Sequence, residues 1–400
     1  MLLEGLKVVE MSTWVAGPGC AAIMADWGAD VIKVESAAGD PVRFMFPDLP
    51  DSPGNPVFSL ENRGKRGLVL DITKAEGRQA LMALLKTADV FITNVRPGAL
   101  ARAGLDYASV HAAAPQLIYA SITGYGLQGE EADRPAFDLT GFWTRTGIAA
   151  ATIPPDQEPF PCRPGFGDHV TALATCAAVL AAVHGRVGDG QGQLVETSLM
   201  RAGAYVIGWD LSQQLKYGEA VTAQPRHDRP AAASGFFRTA DDRWFMVSPR
   251  GPTCFPSILT LTGLGHLIGD PRFTPPIADL ERVRELRAML DEVFAGMTLE
   301  EVGRRLSAAD LIWAPMASLA EMANDPQARA AGVVVQTPDG AGGSFAAPAT
   351  PARFPGAEHG PRSAYPGLGE HTRQVLAEAG LTAVQVERLI AAGVAVQGVG

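Results

Sequence analysis

Cysteine is scarce in this 400-residue chain, which has only Cys20, Cys162, Cys176 and Cys254. None stands in a short spacing with another cysteine or a histidine, so neither a disulfide framework nor a zinc knuckle is expected, and a reducing, cytoplasmic compartment fits. Charge is thin as well, at 19% of residues, and tilts acidic to a net −10. No Lys/Arg run interrupts it, which argues against nucleic acid or an anionic membrane as partner. The segment Met1–Lys7 carries an early acid and lacks an apolar core, unlike a secretory signal. No apolar stretch reads as a bilayer span. The seven histidines are scattered, so no metal site is expected. Apolar residues, by contrast, make up 47% of the chain. At this length that is material for more than one core.

Strand and helix signals alternate through the first third. Leu6–Met11, Asp30–Glu35, Gly67–Asp71, Asp89–Asn94 and Leu117–Ile122 read as buried strands. Helices are expected over Cys20–Trp27, with Pro18 just before it, and over Lys74–Thr87. This alternation implies an α/β fold with a parallel sheet covered on both faces, whose ligands bind beyond the carboxyl ends of the strands. Farther on, a helix is expected over Gln193–Tyr217 and a polar, Pro-flanked break over Ala223–Pro230. After it come a hairpin turning at Asp241-Asp242, helices to about Asn324, a Gly/Pro/Ala-rich stretch over Val333–Pro361, and a closing pair of helices over His371–Ala379 and Thr382–Ala392. The implied domains are 1–222, 223–330 and a C-terminal segment 331–400.

One acid stands out. Asp168 lies in Pro164-Gly165-Phe166-Gly167-Asp168-His169, directly before the small-residue run Val170–Leu180, which reads as a buried helix. A carboxylate at a helix N-terminus meets free backbone N–H groups that favour its ionised form. It is then placed either to act as a nucleophile or merely to cap the helix. The local stretch does not decide between the two.

Gly17-Pro18-Gly19-Cys20-Ala21-Ala22 fits a dinucleotide fingerprint, with Glu35 where a ribose-binding acid would stand. The fingerprint needs its first glycine at the tight strand-to-helix turn. Here Ser12–Ala16 intervenes, and the wider loop suits a bulkier ligand.

Several segments together carry a more specific signal. They are Ala16-Gly17-Pro18, Trp27–Glu35 with Gly39–Arg43, Asn62–Leu68, Asn94–Ala99, Ser121–Gly126, Gly167-Asp168-His169, Gly188–Gln193, Asp325–Ala330 and Pro366–His371. In this order they resemble the family III coenzyme A transferases, a family that also includes α-methylacyl-CoA racemase. The resemblance implies a Rossmann-like large domain to which the C-terminal segment returns, a smaller α+β domain, and two interlocked chains forming a homodimer. It implies coenzyme A transfer from an acyl-CoA to a carboxylic acid with no permanently bound cofactor. Asp168 matches the family's catalytic aspartate, which moves the balance from cap to nucleophile.

The resemblance also implies coenzyme A contacts at Val15, Ala16, Leu70, Asn94 and Arg102. Arg43, Arg63, Lys65, Arg66 and Arg96 are expected as further phosphate or adenine contacts, and Tyr125 joins that set. The racemase alternative needs a histidine where Phe137 stands, and Phe takes no proton. His169 is expected to point away as an ordinary surface or core histidine. Phe137, Asp138, Trp143 and Arg145 are the expected acyl-pocket residues, with Trp143 as lining and Arg145 meeting a second carboxylate.

Overall fold

The computed structural model describes residues 1–45, 54–220, 223–249 and 253–398. It divides into two compact units, one comprising Met1–Ala149, Phe160–Ala220 and Pro326–Gly400, the other Ala150–Pro159 and Val221–Asp325. The boundary expected at residue 222 lies outside the described residues.

The first unit is an α/β layer structure. Its early strands are β1 (Lys7–Met11), β2 (Asp30–Glu35), β3 (Arg66–Leu70), β4 (Val90–Thr93) and β5 (Ile118–Thr123). Helices α1 (Ala16–Asp26), α2 (Pro56–Asn62), α3 (Ala75–Leu85), α4 (Pro97–Ala103) and α5 (Tyr107–Ala113) connect them. After a π-helical segment, Asp138–Thr144, come α6 (Ile148–Thr152), α7 (Phe166–Asp189), β6 (Leu194–Ser198), α8 (Leu199–Val206) and α9 (Gly208–Tyr217).

The helix expected over Gln193–Tyr217 is therefore a strand followed by two helices. Gly192 sits so close to the Leu117 carbonyl that no Cβ fits, and the following β-branched Val195 and Thr197 pair parallel with β5.

The second unit has β7 (Gly235–Arg238), β8 (Trp244–Val247), α10 (Cys254–Leu261), α11 (Leu280–Ala295), α12 (Leu299–Ala308), β9 (Trp313–Pro315) and α13 (Leu319–Asn324). β7 and β8 form the expected hairpin, to which β9 adds a third strand. Phe237, Phe245 and Phe294 meet in its core with ring centroids 5.0–5.9 Å apart. The chain then re-enters the first unit with α14 (Pro326–Ala330), the hairpin β10 (Val334–Pro338) and β11 (Ser344–Pro348), α15 (Thr372–Glu378), α16 (Ala383–Ala391) and β12 (Ala395–Val396).

The large sheet runs β12-β3-β2-β1-β4-β5-β6. All neighbours are parallel except β12, which is antiparallel to β3. Alternate residues of each strand feed two cores. Val9, Ile32, Leu68, Phe91 and Tyr119 face one side with Leu81, Leu84 and Leu376. Val8, Val31, Val90 and Ile118 face the other with Met24, Cys176 and Val179. Burial on both faces is why the strands read as unbroken apolar runs. By length and composition α7 could cross a bilayer. Here it covers the sheet, contributing Ala172, Cys176, Val179 and Ala182 to the second core.

Candidate active site

The carboxyl ends of β1, β4, β5 and β6 open onto a cavity of about 570 Å³. Thr13, Trp14 and Ala16 enter it from the loop after β1, and Asn94, Val95, Arg96, Pro97 and Ala99 from the turn after β4. Gly124 and the stretch from Ala132 to Phe137 follow β5, and Leu199 follows β6. Asp168 completes the lining from α7. A second cavity of about 200 Å³, at the ends of β1, β2 and β3, shares Thr13 and Val95 with the first and is lined by Leu70. The two lie side by side along the carboxyl edge of the sheet, where ligands of such folds bind. The second unit has a larger cavity of about 730 Å³, whose described lining residues are Pro, Ala, Gly, Phe, Ile, Ser and Thr, with no ionisable group among them.

Asp168 does not cap its helix. Gly165, with φ +84, is the N-cap, and no side chain closes that end. Gly167 lets the first turn press onto the π-helical segment: a Cβ there would lie 2.5 Å from Cγ of Phe142. Burial pushes the Asp168 carboxyl up to about 7, Asp138 adding to the shift, His169 opposing it and Glu61 adding again. The expectation of a carboxylate held ionised by the helix end is thus corrected. Desolvation, with Asp138 and Glu61 nearby, disfavours the charged form.

His169 also departs from expectation. Its Nε2 lies 2.8 Å from Oε1 of the buried Glu61. That hydrogen bond first, and the charges of Glu61 and Asp168 after it, raise the imidazole's value against the opposing effect of burial. Asp138 is buried, with Oδ1 accepting from the Leu139 N–H at 2.8 Å and Oδ2 without a hydrogen-bond partner among the described residues.

The first loop is held from below. Asn94 Oδ1 accepts from the Thr13 N–H at 3.1 Å, and its Nδ2 donates to the Thr13 carbonyl at 2.7 Å. Trp14 takes φ +71, a left-handed conformation that costs a non-glycine residue roughly 1–3 kcal/mol. Its ring meets Phe137 edge-on, centroids 5.1 Å apart, a geometry worth about 1 kcal/mol beyond area burial.

Several basic residues expected at phosphates are committed elsewhere. Lys65 is fully buried, its Nζ 3.0 Å from each of Glu10 Oε2, the Pro18 carbonyl and Asn62 Oδ1. Burial lowers its ammonium to about 8, with Glu10 resisting and Lys33 adding. Arg63 is buried on Asp26 at 2.7 Å. Arg66, at the amino end of β3, forks onto Asp30 at 2.6 and 2.9 Å and reaches Glu378 at 2.8 Å, at the opposite edge from the cavities. Arg43 forks onto Glu35 at 2.6 and 2.8 Å, so the acid of the apparent dinucleotide fingerprint is occupied too.

Arg96 does line the cavity and is exposed, whereas Arg102 lies in the last turn of α4 and Val15 at the N-cap of α1, both outside the linings. Tyr125 lies outside as well, its ring beneath the guanidinium groups of Arg134 and Arg145 at 5.6 and 5.9 Å. Trp143 is buried away from the cavity, donating from Nε1 to the Phe160 carbonyl at 3.1 Å, and Arg145 pairs with Glu131 at 2.7 Å. Neither lines this cavity. Thr13, Trp14, Arg134, Leu199 and the Glu61–His169 pair were not picked out from sequence. The fingerprint spacing drew attention to the glycines of the first loop instead.

The first unit is thus a mostly parallel α/β sheet with an acid at a helix start beside cavities at its strand ends. The chain belongs to CoA-transferase family III, which it matches over residues 3–372. It is 31% identical to the (R)-2-hydroxy-4-methylpentanoate CoA-transferase of Clostridioides difficile, over 95% of this chain and 96% of that one. It is 30% identical to the cinnamoyl-CoA:phenyllactate CoA-transferase of Clostridium sporogenes, over 97% and 96%. A CAIB/BAIF family protein from Brucella suis superposes with a TM-score of 0.82 at 32% identity, covering 94% of this chain and 99% of that one. The chain is accordingly a CoA-transferase.

Proposed function

We propose that the chain moves coenzyme A from an acyl-CoA to a carboxylic acid through covalent intermediates on Asp168. The Asp168 carboxylate attacks the thioester carbonyl, forming an aspartyl–acyl anhydride and releasing CoA thiolate. The thiolate attacks the aspartyl carbonyl, giving an aspartyl-CoA thioester and freeing the donor carboxylate. An acceptor carboxylate then attacks the aspartyl-CoA carbonyl, expelling the thiolate. The thiolate takes the acyl group from this second anhydride, restoring Asp168 and yielding the new thioester.

The observation that carries this reading is Asp168 itself: it lines the cleft, does not cap its helix, and has no hydrogen-bonded side-chain partner among the described residues. Coenzyme A would lie along the run from the smaller cavity at Leu70 to the larger one at Asp168, with Arg96 facing its phosphates. A racemase would need a proton carrier where Phe137 stands, so transfer is the favoured chemistry.

We further propose a cytoplasmic homodimer of Rossmann-like large domains, each joined to a smaller domain, with the two chains interlocked. Supporting this, the first unit exposes large apolar side chains on neighbouring helices, Leu173 and Val187 on α7 and Tyr205, Trp209, Leu215 and Tyr217 on α8 and α9, which a partner chain would cover. The experiment is trapping. Incubation with an acyl-CoA followed by hydroxylamine or borohydride is expected to modify Asp168, and wild-type transfer by Asp168→Ala would overturn the proposal.

A further inference from the structure

The loop after β1 puts a tryptophan where the backbone resists one. Trp14 has φ +71, a region that no indole favours. Two anchors impose it. Asn94 clasps Thr13 on both its N–H and its carbonyl. The Trp14 N–H donates to Asp40 Oδ1 at 3.3 Å, and Oδ2 of the same carboxylate is held at 3.1 Å by the fully buried Lys33. The result is an indole in the same cavity as Asp168, edge to ring with Phe137. Phe137 is 54% exposed, an apolar ring left open to the cavity instead of packed in a core. It directly precedes the π-helical segment, a device that recurs at functional sites, and Phe142 of that segment rests on Gly167 beside Asp168. Strain held in place by buried charge, and spent on exposing apolar surface beside a reactive acid, marks a surface kept for a ligand.

We infer that Trp14 and Phe137 form a specificity-determining wall, selecting acyl groups with an apolar aryl or branched body over short dicarboxylic ones. The inference rests on the reading of this cleft as the site of transfer. Two ring faces, extended by Leu199, accept an apolar body. Among the described lining residues two are cationic: Arg134, paired with Glu131, and Arg96, at the start of α4, which the reading above gives to the coenzyme A phosphates.

The test measures affinity by calorimetry in the full-length Asp168→Ala protein, where no transfer consumes the probes. The probes are coenzyme A, 3-phenylpropanoyl-CoA and succinyl-CoA. The phenylpropanoyl thioester is expected to bind at least about tenfold more tightly than the succinyl one. Phe137→Ala and Trp14→Gly, the latter compatible with the positive φ, should each bring that ratio within about threefold. Trp14→Phe, which keeps a ring, should retain most of it. Equal affinity for the two thioesters, or a ratio untouched by both truncations, overturns the inference alone. No binding of coenzyme A itself overturns the cleft reading, and this inference with it.

Discussion

Glu61 and His169, 108 positions apart, meet at 2.8 Å between Oε1 and Nε2, one residue along the chain from Asp168. Glu61 is buried at the end of α2, and its other oxygen lies over Gly19, where any Cβ would come within 2.6 Å of it. The hydrogen bond favours the imidazolium, so His169's value is raised in the fold. A raised histidine contributes stability that is fully present below its unfolded value and is lost as pH rises through the folded one. The melting-temperature gap between wild type and His169→Gln should therefore be larger at pH 6 than at pH 9. In Glu61→Gln the His169 imidazole, followed by NMR, should titrate at lower pH. A titration unmoved by that substitution would show that the contact does not govern the histidine.

Asp168 carries the opposite linkage. Its folded value, about 7, stands above that of an unfolded aspartate, so the fold resists its ionisation. The cost is absent below the ordinary carboxylate range, grows as pH rises towards 7, and reaches at most roughly 4 kcal/mol above it. Asp168→Asn should melt higher than wild type at pH 8, with little difference at pH 4.5, while losing acyl transfer. Equal melting temperatures at both pH values would mean that the carboxyl is not strained in this way.

The sheet was legible because residues such as Val8-Val9 and Val31-Ile32 are buried on both faces, which writes each strand as an apolar run. β6 was not, since Leu194–Ser198 leads straight into the apolar α8 and only its pairing with β5 separates the two. At the site, the glycines and the helix that follows mark Asp168 as an acid at a helix start, but only the family resemblance implied a role for it. The fates of the cations could not. Arg43, Arg63, Lys65 and Arg66 look alike in sequence, yet each is claimed by an acid brought to it by the fold: Glu35, Asp26, Glu10 and Asp30. Trp14 escaped notice for a related reason. A positive φ on tryptophan follows from Asp40 and Asn94, which reach it only through the sheet.

Trp143 separates packing from recognition. Its indole is buried, and its Nε1 donates to the Phe160 carbonyl. Trp143→Phe leaves that carbonyl without its donor and should cost about 1–2 kcal/mol of stability in denaturant unfolding. The relative use of aryl and dicarboxylic thioesters should stay within about twofold of wild type. A changed preference would return Trp143 to the acyl pocket.

Lys65 and Arg96 contrast a cation buried against Glu10 with one exposed on the cavity lining. Burial works against the charge of Glu10, but Lys33 and Lys65 beside it prevail and hold its carboxyl below the ordinary range. Removing one member of such a buried cluster leaves charge uncompensated and typically costs 3–5 kcal/mol. Lys65→Met should therefore unfold at markedly lower denaturant. Arg96→Ala removes an exposed charge on the cavity lining and should leave unfolding unchanged. Its affinity for coenzyme A should fall about three- to tenfold, with a weaker dependence on salt than wild type, as expected for the loss of one screened phosphate contact. If Lys65→Met instead kept full stability and bound coenzyme A weakly, Lys65 would be a phosphate ligand after all, and the buried cluster would have to open when coenzyme A binds.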